Sequence, residues 1–243
     1  MYIRENKHHN LRKLHKFFDE SPVTISLIIF MISISFLRYI VYFLVRIDIN
    51  AVFSLVPSRV IEEGAFWILL TNIFLHDDLV RNPFHLIANM IALFYIGRYV
   101  ERMLGKKQYL SAFILTGLGG SICIVLSNWL FMYLNYSTNY DSHYLGASGA
   151  ILGIFSILAL YRPKIRIIFF LFIPPYLIIP ILAPLKLMLI IQFTLDLLLG
   201  ILNLPFDYIA HFGHVGGMIT GFILYKLHLR KKLYEYTYGY VWT

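Results

Sequence analysis

Long apolar stretches recur along this chain, and they constrain its fold more than any other feature. A helix that crosses the hydrocarbon core of a bilayer needs roughly 20 apolar residues. Six stretches qualify, at about residues 22–45, 84–104, 109–134, 146–162, 181–203 and 208–228. With 59% apolar and 14% charged residues, the composition is not that of a soluble domain. The sequence therefore predicts an all-α polytopic membrane protein, a bundle of six transmembrane helices.

The polar ends of the chain are short. Residues 1–21 form a basic tail, and the apolar run after it is about twice as long as the core of a cleavable signal peptide. We therefore expect a cytoplasmic tail over residues 1–21, one membrane domain over 22–228 and a second cytoplasmic tail over 229–243. The single cysteine, Cys123, lies inside an apolar stretch and has no intrachain partner for a disulfide.

The positions of lysine and arginine predict the orientation in the membrane. They number five in the N-terminal tail, four in residues 98–107, three in 161–166 and three after Leu227. Since short cytoplasmic loops are enriched in these residues, both termini are predicted to be cytoplasmic. The segment 46–82 then lies outside, where its mixture of aromatic and charged residues favours the membrane interface. No organelle-targeting pattern is present, which favours a prokaryotic plasma membrane.

Prolines mark the predicted helix boundaries. Ser21-Pro22 and Asn82-Pro83 each place a capping residue before a proline in the first helical position. The run from Arg166 to Pro184 carries four prolines, so part of it is expected to be irregular, re-entrant or interfacial. The start of the fifth span therefore remains open.

The fourth stretch opens with a serine among small residues. Ser148 is flanked by Gly146 and Gly149, and Gly153 follows at helical spacing. These glycines favour close packing between membrane helices, which on its own explains such a pattern. Ser148, however, falls about one turn into the membrane from the external side, where a hydroxyl could face a cavity.

The sixth stretch contains two histidines and a row of glycines. A histidine inside a membrane is costly without a partner, so His214 is a candidate functional residue. Gly213, Gly217 and Gly221 recur every four residues and predict a groove for a neighbouring helix. At about 100° per residue, His214 lies ~60° from the centre of this groove and His211 ~120°. We therefore predict His214 as the base and His211 as a secondary group that water can solvate.

The second stretch supplies two polar side chains one helical turn apart, His85 and Asn89. Peptide hydrolysis passes through an intermediate with a negative oxygen, which donors of this kind stabilise. The alternative is a structural polar contact between helices.

Three motifs together resemble the rhomboid intramembrane serine proteases. They are HLIANMIALFYIGRYVERMLG, GASGAILGIF and AHFGHVGGMITGF, in this order on stretches two, four and six. The resemblance implies a six-helix rhomboid-like bundle with Ser148 as nucleophile and His214 as base, without an obligatory third acid. It also implies an oxyanion site at His85, Asn89 and the Ser148 backbone N–H, and no metal or cofactor.

Two positions depart from the pattern of that family. Trp67 is followed by Ile68, where the family often has arginine. Leu152 stands where some relatives carry an aromatic residue that packs on the catalytic imidazole, so we expect the base to be held differently here.

The predicted substrate is a single-span membrane protein, cut near the external face where water can reach unwound backbone. Membrane lipids are the other expected partner. Nucleic acid is not, because the basic residues lie in clusters between the apolar stretches.

Two other functions remain open. One is a catalytically inactive relative that binds transmembrane segments. The other is a small transporter or channel in which His85, His211 and His214 line a path. A metalloprotease is disfavoured because the sequence contains no H-E-x-x-H.

Overall fold

Helices dominate the computed structural model, which describes residues 20–77, 82–136, 140–173, 177–202, 209–231 and 233. The α-helices are α1 Pro22–Val45, α2 Ile49–Phe53, α3 Pro57–Glu62, α4 Ile68–Thr71, α5 Pro83–Ala92, α6 Arg98–Leu104, α7 Lys106–Tyr133, α8 Ser148–Tyr161, α9 Leu185–Leu202 and α10 His211–Leu224. A 3₁₀ turn, Asn72–Phe74, follows α4. Two π-helical turns, Leu93–Gly97 and Tyr225–Leu229, join α5 to α6 and extend α10.

Three of these helices are long and apolar enough to cross a bilayer: α1, α7 and α9, with 24, 28 and 18 residues. Large apolar side chains on α1 point away from the protein, including Phe43, which is 75% exposed. Exposure of so many large apolar side chains to water is unfavourable, so this surface is expected to contact lipid. The chain is an integral membrane protein.

Helix α8 forms the centre of the bundle, and its residues 150–159 are all buried. Helix α10 packs against α7, α8 and α9. A Cβ atom added to Gly149 would lie 2.9 Å from the carbonyl oxygen of Gly213, and one added to Gly153 would lie 2.8 Å from that of Gly217. Cβ atoms at Gly217 and Gly221 would likewise meet the backbone of α8. The two helices therefore touch at backbone distance, as the glycine spacing predicted.

Helices α1 and α5 begin at the predicted prolines, but the predicted side-chain caps are wrong. The side chain of Ser21 makes no capping bond to α1. Instead the carboxylate of Glu101 accepts the backbone N–H groups of Val23 at 2.9 Å and Thr24 at 2.7 Å. Asn82 does not cap α5 either, because its side chain donates to Asp77 at 2.9 Å. At α1, therefore, a distant carboxylate replaces the local cap.

The proline-rich run forms a β-hairpin, so the all-α prediction is wrong here. Strand β1, Arg166–Ile173, pairs antiparallel with β2, Leu177–Pro184, from Arg166 opposite Pro184 to Ile173 opposite Leu177. Consequently α9 begins at Leu185, four residues later than the predicted fifth span. Prolines are excluded from helix interiors but fit the outer edge of a strand, and the run is rich in β-branched and aromatic residues.

The segment between α1 and α5 is folded against α7 rather than free. Leu55, Val60, Ala65 and Ile68 are buried with Ile124 and Val125 of that helix. This segment also holds the loop that precedes α8. Leu55 and Tyr144 exchange two backbone hydrogen bonds of 2.8 Å, and the Gly146 N–H donates to the Asn72 carbonyl at 3.0 Å. Through these bonds the segment fixes the backbone that leads into Ser148.

Candidate active site

Ser148 is the first residue of α8 and is partly buried. The first N–H groups of a helix have no intrahelical acceptor, so Ser148 presents both a hydroxyl and a free backbone donor at this helix end. A cavity of about 20 Å³ lies against it, and Asn72, Ser121 and His214 are among the residues that line the cavity. This volume suffices for about one water molecule.

His214 lies in the first turn of α10, and its Nε2 atom is 2.8 Å from the Oγ atom of Ser148. The His214 side chain is 12% exposed. The close packing of α8 and α10 at their glycines brings the two side chains together. A serine hydroxyl and an imidazole nitrogen at this distance can exchange a proton.

Asp196, on α9, bonds the opposite side of the His214 ring. Its Oδ1 atom lies 2.9 Å from Nδ1 of His214 and 2.7 Å from Nδ1 of His211. Gln192, one turn earlier on α9, donates to Oδ2 at 2.7 Å. The carboxylate is only 2% exposed. It therefore links α9 to the two histidines of α10.

The structure corrects the expected environment of His211. That residue was predicted to lie in reach of water, yet it is 6% exposed and hydrogen-bonded to Asp196. The α9–α10 contact is tight here, since a Cβ atom added to Gly200 would lie 3.3 Å from the Cβ of His211.

His85 and Asn89 lie on α5, beside the loop that leads into Ser148. A Cβ atom placed on Gly146 would be 2.7 Å from Nε2 of His85 and 3.9 Å from Nδ2 of Asn89. Asn89 also donates to the His85 carbonyl at 3.0 Å. Both donors therefore face the backbone two residues before Ser148.

Asp77 orients the His85 ring, with Oδ2 2.7 Å from Nδ1. Burial by itself raises the pKa of Asp77, but the hydrogen bond and the charge of His85 oppose it, and the net result is a lowered pKa. The ionised carboxylate is therefore the favoured state beside His85.

Gly146 differs from the other glycines predicted to pack helices at the site. It lies two residues before α8 and has a φ of +127°, in the region that strains any L side chain. The His85 ring occupies the space that a side chain would need. Gly146 is thus required by the backbone turn and by His85 of α5, rather than by the close contact between α8 and α10.

The sequence places this site in a known family. The family model of the rhomboid domain matches residues 63–231, well over half of the chain. The chain belongs to the rhomboid family. The matched region contains Ser148 and His214, together with Asp196, His85 and Asn89.

Several rhomboid proteins are similar to this chain. Rhomboid protease GluP of Bacillus subtilis (strain 168) is 30% identical over 174 residues, which cover 70% of this chain and 27% of that protein. RHOMBOID-like protein 5 of Arabidopsis thaliana is 31% identical over 192 residues, covering 75% of this chain and 49% of that protein. Rhomboid protease AarA of Providencia stuartii is 33% identical over 110 residues, covering 43% and 37%. The chain spans about half or less of the length of these relatives.

Two acidic residues of this rhomboid site escaped the sequence analysis. Asp196 could have been predicted as a functional residue, because a carboxylate inside an apolar helix is costly and needs a partner. No sequence pattern marks Asp77 as functional, since an aspartate in a polar loop is common. Its role follows only from the 2.7 Å contact with His85.

One group of side chains in the described part of this rhomboid has a spacing that a metal ion could use. The ligand atoms of Asp196, His211 and His214 lie within 4.8 Å of one another. Both imidazoles, however, direct Nδ1 at the same carboxylate oxygen. This is a hydrogen-bonded arrangement in which the protons occupy the directions that metal bonds would take. The absence of a metal centre stays a prediction.

Proposed function

We propose that this rhomboid is an intramembrane serine endopeptidase that cleaves single-span membrane proteins near the external face. Ser148 is the nucleophile and His214 the base. The 2.8 Å contact between Ser148 Oγ and His214 Nε2, at the start of a buried helix, carries the proposal. Relatives named rhomboid proteases, GluP and AarA, support it.

The reaction proceeds in two halves. His214 Nε2 takes the hydroxyl proton while Ser148 Oγ bonds to the substrate carbonyl carbon, giving a tetrahedral intermediate. His214 then gives this proton to the amide nitrogen, the C–N bond breaks, and an ester to Ser148 remains. Water next attacks the ester and passes a proton to His214, which returns it to Ser148 as the new carboxyl end leaves.

The negative oxygen of each intermediate needs donors that are already in place. In this proposal they are the Ser148 backbone N–H and the side chains of His85 and Asn89, which flank Gly146. Loss of one such donor typically lowers the rate about 100- to 1,000-fold.

The length of α8 supports a reaction below the membrane surface. Its 14 residues rise about 21 Å, whereas the hydrocarbon core is about 30 Å thick. A helix that starts at the cytoplasmic surface would therefore end several ångströms short of the external one. Ser148 at this end lies inside the membrane, within reach of water from outside. A substrate helix must unwind to present its carbonyl there, which favours small or helix-breaking residues near its outer end.

The proposed topology has six spans over residues 22–228. α1, α7 and α9 cross at full length, while α5 with α6, α8, and α10 supply the other three. The tails over 1–21 and 229–243 are cytoplasmic, and the membrane is the plasma membrane of a prokaryote. Membrane lipids surround the bundle, and neither nucleic acid nor a cofactor takes part.

Cleavage of a defined substrate tests the proposal. Purified protein in detergent is incubated with synthetic single-span substrates, and wild type is compared with Ser148→Ala. Alanine fits the first turn of a helix, so the variant should fold and lose only the hydroxyl. We expect cleavage by wild type and none by Ser148→Ala. Residual activity within about tenfold of wild type would exclude Ser148 as nucleophile.

Reaction with a fluorophosphonate probe separates the alternatives. A catalytically inactive relative that binds transmembrane segments would neither cleave nor be labelled, and a transporter would function unchanged with Ser148→Ala. Labelling of wild type that disappears in Ser148→Ala supports the protease.

A further inference from the structure

The Asp196 carboxylate is a buried charge that the reaction outlined above does not use. It is 2% exposed on a membrane helix, where an ionised group is tolerated only with partners. Three donors surround it: His214 and His211 at Oδ1, and Gln192 at Oδ2. Both carboxylate oxygens are therefore hydrogen-bonded.

This arrangement determines which nitrogen of His214 carries the proton. A carboxylate can only accept hydrogen bonds, so Nδ1 of His214 must be the protonated nitrogen at the 2.9 Å contact with Asp196. In the neutral ring Nε2 then has a free lone pair. That lone pair faces the Ser148 hydroxyl at 2.8 Å. The opposite tautomer would place a proton on Nε2 and could not accept one from serine.

We propose that Asp196 is a positioning residue that completes a Ser148–His214–Asp196 relay. The inference rests on the proposed protease function. Asp196 acts through His214 in two ways. It holds the ring in the tautomer that accepts the serine proton, and its negative charge stabilises the imidazolium formed during attack. In a region of low dielectric such a charge has a larger effect than in water.

The neighbours of Asp196 hold it in place for this role. Gln192 fixes Oδ2 from the preceding turn of α9, and His211, the first residue of α10, shares Oδ1. Gly200 lets α9 approach α10 closely, since a Cβ atom there would lie 3.0 Å from the Phe212 ring. The carboxylate thus reaches the histidine without a long flexible side chain.

A purely structural role would also explain a buried carboxylate that joins two helices. Such a role predicts lost stability with unchanged kinetics in the folded fraction. The relay predicts lost turnover in folded protein. Kinetics therefore separates the two.

The experiment compares Asp196→Asn with wild type. Asparagine has the same shape and can still accept the Nδ1–H bond, but it lacks the charge and can turn its amide. We expect kcat for a single-span substrate to fall about 100-fold, with KM within about twofold, and fluorophosphonate labelling to slow in proportion. The double variant Asp196→Asn with His214→Ala should be no slower than His214→Ala alone, because the two residues act as a unit.

Glu101→Gln is the matched control. Glu101 is also a 2% exposed carboxylate, but it caps α1 away from Ser148. After correction for folded protein, its kcat should equal that of wild type. If Asp196→Asn behaves like this control while wild type cleaves, the relay is wrong and the protease stands. If wild type neither cleaves nor is labelled, the protease proposal fails and the relay fails with it.

A second measurement needs no substitution at Asp196. ¹⁵N spectra of histidine-labelled protein are recorded at a pH where the ring is neutral, and the His214 signals are identified by their loss in His214→Ala. These signals should show that Nδ1 carries the proton and that Nε2 does not. The opposite tautomer would overturn the relay even if Asp196→Asn does not fold.

Discussion

Asp77 anchors His85 through a 2.7 Å contact between the carboxylate Oδ2 and the ring Nδ1. Since Nδ1 donates to the carboxylate, Nε2 can donate to an oxyanion only when both ring nitrogens carry protons. The pKa of Asp77 is lowered in this contact, so its carboxylate is the ionised, strongly accepting partner that holds the His85 ring. Asp77 therefore determines the orientation of the His85 ring beside the proposed oxyanion site.

The first prediction concerns this pair. Asp77→Asn should lower kcat about tenfold and leave KM nearly unchanged, because the His85 contact is made to charge that develops in the transition state. Steady-state cleavage of a single-span substrate provides the measurement. Asn82→Ala is the matched control, since it removes the other described donor to Oδ2 but keeps the charge. A raised KM with unchanged kcat in Asp77→Asn would make Asp77 a structural residue.

The second prediction uses the buried His76, which is 2% exposed. Burial, followed by the nearby His85 ring, lowers the pKa of His76 from 6.5 to about 3. Between these values the unfolded chain binds a proton that the folded protein does not. His76 therefore leaves the free energy of unfolding undiminished above pH 6.5 and lowers it as the pH falls below that value. For one proton, the free energy of unfolding changes by at most about 1.4 kcal/mol per pH unit.

The thermal midpoint in detergent, followed from about pH 7.5 to about pH 5, checks this dependence. His76→Gln cannot titrate and should show a shallower decrease than wild type. His228→Gln, at an exposed position on the last π-helical turn, should retain the wild-type slope. Equal slopes in wild type and His76→Gln would exclude His76 as the source.

The sequence predicted the elements that depend on local pattern. Long apolar runs located the main helices, and the four-residue glycine spacing predicted the α8–α10 contact that places His214 beside Ser148. Both features are periodic patterns within one helix, and such patterns show which face of the helix packs against a neighbour. The same helical positions wrongly directed His211 toward water, because both histidines turn Nδ1 to Asp196.

Features that depend on distant partners could not be predicted in this way. Glu101, which lies 77 residues after Thr24, replaces Ser21 as the cap of α1. Asp196 meets His214 only because α9 and α10 pack together, and a helical pattern does not say which polar group the neighbouring helix offers. The β-hairpin was also missed, because its prolines exclude a helix without specifying the strand pairing that replaces it.

The third prediction tests orientation in the membrane. Cys123 is the only cysteine, so a Cys123→Ala background allows single labelling sites to be introduced. Tyr136→Cys, at a position 70% exposed after α7, should react with an impermeant thiol reagent on intact cells. Lys107→Cys, exposed at the opposite end of α7, should react only after permeabilisation. The reverse pattern would place the catalytic cavity on the cytoplasmic side.

The last prediction separates the two histidines that share Asp196. Both donate Nδ1–H to Oδ1, but only His214 also contacts Ser148, at 2.8 Å. His214→Ala should therefore be as inactive as Ser148→Ala, and the double variant should be little worse because the two residues act as a unit.

His211→Ala removes a buried hydrogen bond, which typically costs about 1–3 kcal/mol of stability, yet Asp196 keeps its bond to His214. We expect His211→Ala to retain measurable cleavage in the folded fraction, and His211→Asn, which still offers a donor, to recover part of the lost stability. Cleavage rates normalised to the amount of folded protein, together with thermal midpoints, provide the comparison. If His211→Ala is inactive while His214→Ala still cleaves, the base is His211 and the roles of the two histidines are reversed.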